Sequence, residues 1–249
     1  MTLGLTLPLR PLDASLDGFR NDALFNVTTL MVSVLFVIVC GILLWSIVMH
    51  RDGRHQAHYE RGIGRRHLVF TGLITAVIFV GVDGTLLVDS YLDLDQVLWN
   101  FPSAETHPLE VEVWAQQWAW NIRYAGAVGK FGTPDDVVTL NDLHVPLGRA
   151  VVVHLKSKDV VHSFYLPNFR IKQDALPGFE TRVWFAAKIP GRYELGCAQH
   201  CGVSHYRMRG VVTVESVGAF DGWMRAAADV AVKKYDEDDL DAHWGWPWS

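Results

Sequence analysis

Cysteine is scarce in this chain, with three residues in 249, so the disulfide framework of a small secreted domain is excluded. There is no C-x-x-C-H stretch, which removes covalent haem attachment. Also missing are a G-x-G-x-x-G fingerprint, a phosphate-binding P-loop and a G-x-S-x-G elbow, which leaves no motif for dinucleotide, nucleotide or serine-hydrolase chemistry. Charge of one sign is not in excess: 22 Lys and Arg stand against 27 Asp and Glu, a net of −5. No basic field is available to hold nucleic acid. The length allows one or two domains with a hydrophobic core. Half of the residues are hydrophobic, an ordinary share, but they are unevenly spread.

Residues 27–49 (VTTLMVSVLFVIVCGILLWSIVM) carry no charge. As a helix this run reaches about 34 Å, enough to cross a hydrocarbon core of roughly 30 Å. Residues 68–88 form a second apolar run whose one charge is Asp83, near its C-terminal end. The first run competes with a cleaved signal, but Asp13, Asp17 and Asp22 precede it beside Arg10 and Arg20, and it is long for a signal core. The second run cannot be a signal. Between them, residues 51–66 hold five Arg against Asp52 and Glu60. Short basic loops stay on the cytoplasmic side, so both termini are expected outside, across a bacterial plasma membrane rather than a mitochondrial inner one. Asp83, an acid within a span, is a functional flag. Cys40 reads as a small buried apolar residue.

After residue 108 the pattern switches to period two. LEVEVWA, RAVVVHLKS, DVVHSFYL, TRVWFAA, RYELG and RGVVTVE are short runs rich in β-branched and aromatic residues. Turn-like pieces separate them, among them AGAVGKFGTPDD, PNFRIKQDALPG and KIPG. The expected order is an extracytoplasmic segment (1–26), a transmembrane helix (27–50), a cytoplasmic loop (51–66) and a second transmembrane helix (67–89). A linker with a short helix (90–108), an all-β sandwich (109–215) and a C-terminal helix with an acidic, Trp-rich tail (216–249) follow.

The stretch GCAQHCGVSHYRM spaces Cys197, Cys201, His205 and Met208 by four, four and three. A loop between two strands can fold such side chains around one small centre. Two thiolates, an imidazole and a thioether suit copper over magnesium or calcium. The second thiolate is one too many for a single blue-copper site, but two can bridge a pair of copper ions. A further terminal imidazole is then needed, and His162, ending a strand 35 residues upstream, is the candidate. Alone, the Cys pair also suits a zinc half-site or a buried thiol pair. His200 is read as a non-ligand, and His144 and His154 as structural.

DVVHSFYLPNFRIKQDALPG, GCAQHCGVSHYRM and WAQQWAWNIRY together resemble subunit II of the haem-copper oxidases, the cytochrome c oxidase subunit with a binuclear CuA centre. The resemblance covers nearly the whole chain. It implies a pair of transmembrane helices (a hairpin) followed by a cupredoxin-like Greek-key sandwich. It implies two copper ions bridged by Cys197 and Cys201, one completed by His162 and Met208, the other by His205 and the backbone carbonyl of Gln199. Trp118 then matches the aromatic residue that receives electrons from cytochrome c or an equivalent donor. Acidic surface residues would dock that donor: residues 90–249 hold 20 Asp and Glu against 15 Lys and Arg. The implied partners are oxidase subunit I, which reduces oxygen in a proton-pumping complex, further subunits and membrane lipid. Gln199 stands where many members have Glu, and a neutral amide is a weaker ligand for a hard cation, so magnesium at the subunit border is in doubt. RGIGRRHLVF has no acid after Glu60, so proton uptake through this subunit would need another route. Rival readings are a quinol oxidase subunit, which lacks the copper ligands, a nitric or nitrous oxide reductase subunit with the same centre, and a copper-delivery or purely structural membrane protein.

Overall fold

The structure, a computed structural model, describes residues 10–51, 53, 59 and 61–234. The first nine residues, much of the basic loop and the acidic, Trp-rich tail lie outside the described residues. The chain divides into two units.

The helical unit covers Arg20–Trp99. Helix α1 (Gly18–His50) has 33 residues and spans about 50 Å. Its apolar side chains point outward all round: Leu30, Phe36, Val37, Leu44 and Ile47 are exposed. A helix of this kind needs lipid or another protein around it. Thr28 and Thr29 hide their hydroxyls by donating to the carbonyls of Leu24 and Phe25.

The second helical stretch is α2 (Arg65–Ile78), a π-turn at Phe79–Asp83, α3 (Gly84–Asp93) and a second π-turn at Leu94–Leu98. Residues 90–98, expected to open a linker, continue the helix, because no proline or glycine interrupts the chain between Gly84 and Pro102. Asp83 lies in the first π-turn. Arg20 Nη1 lies 3.1 Å from Asp93 Oδ1, which sets the first turn of α1 beside the last turn of α3 and makes the pair antiparallel.

The second unit is a sandwich of two five-stranded sheets. Its strands are β1 (Leu109–Gln116), β2 (Ala119–Tyr124), β3 (Val137–Leu140), β4 (Asp142–Pro146), β5 (Ala150–Ser157), β6 (His162–Leu166), β7 (Ile171–Ala175), β8 (Thr181–Ala186), β9 (Gly191–Cys197) and β10 (Arg209–Glu215). One sheet runs β3-β2-β1-β5-β8, the other β4-β10-β9-β6-β7. Pairing is antiparallel except for β1 with β5 and β10 with β4. Alternation drives the layers: Leu109, Val111, Val113 and Ala115 of β1 point inward and meet Trp120, Ile122, Val151, Val153, Phe164 and Leu195. The stretch PNFRIKQDALPG, read as a turn, contains β7, and β3 and β4 are short strands at sheet edges that fell between the expected runs.

Residues before α1 join this unit. Ala14 donates to Asn168 O, Leu16 donates to Ala186 O, and Lys188 N donates back to Ala14 O, with Ala14 fully buried. Lys188 Nζ pairs with Asp13 at 2.6 Å. Helix α4 (Val217–Lys234) closes the far end, where Trp223 stacks on His144 with centroids 4.1 Å apart. His144 bonds Asp142 and Glu215 through its two ring nitrogens, and His154 bonds Glu110 and Glu180 in the same way.

Charge is buried on the outer side of the first sheet. Glu112 is 3% exposed and sits opposite Arg123 in the β1–β2 register. Arg123 binds its carboxylate, Lys156 Nζ approaches it at 2.9 Å, and Asp136 lies 3.8 Å from Arg123 Nε. Removing one partner of a buried ion pair costs about 3–5 kcal/mol. Glu112→Ala is therefore expected to lower the unfolding midpoint of the full-length chain in mild detergent, followed by near-ultraviolet circular dichroism. An unchanged midpoint would mean that water, not Glu112, satisfies these cations.

Candidate metal centre

The candidate ligands come from the mouth of the second sheet. The β9–β10 ladder pairs Gly196 with Arg209, so the loop from Cys197 to Met208 leaves and re-enters at neighbouring points. Cys197 N–H donates to Met208 O at 3.2 Å and closes the loop at its base. A turn of 3-10 helix at His205–Arg207, with His205 N–H bonded to Gly202 O, folds the remainder back. Strand β6 lies on the other side of β9, with Phe164 opposite Cys197, which puts His162 at the strand end next to that sulfur. Ala198 N–H donates to Ser163 O and ties the loop to β6.

Cys197 Sγ and Cys201 Sγ lie 3.8 Å apart, unbonded, since a disulfide requires about 2.05 Å. His162 Nδ1 lies 3.9 Å from Cys197 Sγ, and His205 Nδ1 lies 3.4 Å from Cys201 Sγ. Met208 Sδ is 3.8 Å from Cys201 Sγ. The carbonyl of Gln199 is 3.2 Å from Cys197 Sγ. His162 is 0% exposed, Met208 1% and Cys201 3%, while Cys197 and His205 are half-buried. The ligand atoms of His162, Cys197 and Cys201 lie within 4.8 Å of one another, the one such group of three His, Cys, Asp or Glu among the described residues. The structure thus gathers the expected side chains, with one imidazole nitrogen beside each sulfur. His200 is exposed and meets His205 edge-on.

The two thiols differ. Burial opposes ionisation of Cys197, but hydrogen bonds with His162 and with the backbone at Ser163 and Gln199 outweigh it and bring the thiol down to about 6. Burial and the neighbouring Cys197 charge push Cys201 up to about 12. Burial also works against the charged form of His162, yet Cys197 and Asp159 raise it above its ordinary value.

Trp118, half-buried in the turn between β1 and β2, donates from Nε1 to Cys201 O at 3.2 Å. Gln117 donates from Nε2 to the same oxygen at 2.8 Å. Gly202 makes this approach possible: its φ is +117°, and a Cβ there would sit 2.8 Å from Gln117 Nε2. Sequence reasoning gave no role to Gln117 or Asp159, although each lies inside a quoted motif: Gln117 directly precedes Trp118 in WAQQWAWNIRY, and Asp159 opens DVVHSFYLPNFRIKQDALPG three residues before His162.

The donor set fits a soft metal. Sulfur and imidazole favour copper, and the carboxylates that a hard cation requires do not contribute to the cluster.

A family profile described as cytochrome c oxidase subunit II, periplasmic domain, matches residues 109–217. The chain is 30% identical to the alternative cytochrome c oxidase subunit 2 of Bradyrhizobium diazoefficiens over 83% of its own length and 79% of that protein. It is 26% identical to cytochrome c oxidase subunit 2 of Synechocystis over 88% of its length and 76% of that protein. The crystal structure of the periplasmic domain of cytochrome oxidase subunit II of Bradyrhizobium japonicum aligns with 49% of this chain and 94% of that one, at 27% identity and a TM-score of 0.44. Two long apolar helices, a β-sandwich with a sulfur–imidazole cluster at its mouth, and kinship along most of the chain lead to one assignment: the chain belongs to the cytochrome c oxidase subunit II family.

Proposed function

We propose that this chain takes electrons into a haem-copper terminal oxidase through a binuclear copper centre and passes them towards the haem of subunit I, where oxygen is reduced and protons are pumped. The observation that carries the reading is the pairing of one imidazole Nδ1 with each of two neighbouring sulfurs, His162 with Cys197 and His205 with Cys201. Cys197 and Cys201 would hold both ions, His162 and Met208 would complete one, and His205 with the Gln199 carbonyl the other. Bound there, a copper pair supplies a one-electron store whose charge is shared between two ions.

The chain's own residues supply rigidity. His162, Cys201 and Met208 are buried, and the loop is tied at both ends and to β6, so the donors are held before and after a change of charge. Trp118 offers a half-exposed indole joined by one hydrogen bond to the peptide of Cys201, a short route from the surface to a ligand. The electron donor is cytochrome c or an equivalent protein. In this reading α1 and the stretch Arg65–Leu98 span a bacterial plasma membrane, with the loop of 51–66 in the cytoplasm and the copper domain outside.

The full-length chain, purified with its oxidase partners, is expected to carry two coppers and a shared-valence spectrum. One copper per chain, or a blue single-copper spectrum, would overturn the binuclear reading. Met208→Leu is expected to keep copper and shift the reduction potential. Trp118→Phe is expected to slow electron uptake about tenfold, roughly 1.4 kcal/mol of barrier, with the copper spectrum intact. An unchanged rate removes Trp118 from the route. The thiol asymmetry gives a pH test on the reduced, metal-free chain. A thiol with lowered affinity for its proton reacts as thiolate above that value, so alkylation of Cys197 should rise through pH 6 while Cys201 stays unreactive at pH 8. Peptide mapping that finds both labelled equally would contradict the asymmetry.

A further inference from the structure

Outside the ligand set, one carboxylate touches two parts of the site that the chain keeps far apart in sequence. Asp159 lies in the connection between β5 and β6. Its Oδ1 lies 2.9 Å from His162 Nε2 and accepts the Val160 N–H at 2.6 Å. Its Oδ2 accepts the backbone N–H of Gln117 at 2.7 Å. Gln117 and Trp118 in turn both donate to the carbonyl of Cys201. The result is a continuous chain of hydrogen bonds: His162 to Asp159, Asp159 to Gln117, and the Gln117–Trp118 turn to Cys201.

Each link does a separate job. His162 is fully buried, and with Nε2 facing a carboxylate that nitrogen carries the proton, which leaves the Nδ1 lone pair for the sulfur side. The Gln117 backbone bond fixes where the β1–β2 turn begins. The Cys201 carbonyl has two lone pairs, and the two donors from that turn occupy both. Gly202 supplies the space for this contact.

We propose that Asp159 is a positioning residue that locks the Trp118 turn and His162 into one unit, so that a single side chain governs both the reduction potential of the centre and the rate of electron uptake. The inference rests on the copper reading above. Removing the charge while keeping the shape separates it from packing: an Asn at this position has one acceptor oxygen and one NH2 group, so it serves His162 or Gln117 but not both. An anionic partner makes the imidazole a stronger donor and favours the oxidised state, so its loss raises the potential.

The test uses the copper-loaded oxidase. Asp159→Asn is expected to keep both coppers and to change the oxidised-to-reduced ratio at a fixed potential about tenfold toward the reduced form, ~59 mV for one electron. Electron uptake is expected to slow about 10–100-fold, the usual cost of losing a carboxylate behind a ligand imidazole. Asp159→Glu keeps the charge but moves it by one methylene, so the potential should return to within about threefold in that ratio while uptake stays slow. If Asp159→Asn sheds its copper, Asp159→Glu decides: parental values of both quantities overturn the proposal. A copper-loaded Asp159→Asn oxidase with parental potential and parental rate overturns it as well. Absence of copper from the unsubstituted chain sinks the reading beneath it instead, so the two failures are distinct.

Discussion

The hydrogen bond from Cys197 N–H to Met208 O closes a loop whose side chains would otherwise have no reason to meet. It continues the β9–β10 ladder by one step, and the ladder is held by burial of Leu195, Val212 and Val214 in the sandwich core. Main-chain geometry thus brings two thiol sulfurs, a thioether and an imidazole together at one end of the sheet. Loop closure of this kind lowers the entropy cost of assembling ligands, because sheet pairing offsets part of the ordering. His162 enters from the neighbouring strand and needs only the β6–β9 register to arrive beside Cys197.

The polar groups near the centre are managed differently from those on the first sheet. Around Glu112, opposite charges neutralise one another in a chain from Asp136 through Arg123 to Lys156 and Glu180. Around the sulfurs there is little formal charge to spare. Asp159 is the acid in contact with a proposed ligand, and it sits behind His162, away from the Nδ1 side. A soft site of low net charge follows, with donors fixed by neutral main-chain bonds. The outer network serves the fold and stands apart from the carboxylate of Asp159 behind His162.

Much of this was legible from residue order because the informative parts are local. The apolar runs at 27–49 and 68–88 fall inside α1 and the stretch Arg65–Leu98, and the six alternating segments each coincide with a strand. Cys197, Cys201, His205 and Met208 share one loop, so spacing alone could place them together. Asp159 and Gln117 could not be read this way. Each looks like an ordinary turn residue, and their meeting depends on the β5–β6 connection landing beside the β1–β2 turn. The same holds for Asp13, Ala14 and Leu16, whose partners at Lys188, Asn168 and Ala186 lie more than a hundred residues away. Strand β7 was hidden because Lys172, Gln173 and Asp174 break the apolar pattern on an edge strand, where one side faces solvent. A short helix was expected within 90–108, and residues 90–98 are helical as a continuation of the second apolar stretch, since no proline or glycine stops the ladder there.

Contacts between residues distant in the chain tie each unit together from within. Ala14 and Leu16 are hydrogen-bonded into the sandwich, and the sandwich follows α3 in the chain. Within the helical unit, Arg20 and Asp93 join the start of the first helix to the end of the second. Within that unit α1 and the stretch Arg65–Leu98 therefore run antiparallel. The five Arg of residues 51–66 stand between these two helices in the sequence. We propose, from the positive-inside rule, that this basic connection is cytoplasmic and that the sulfur cluster serves the opposite compartment, where a soluble electron carrier can reach Trp118.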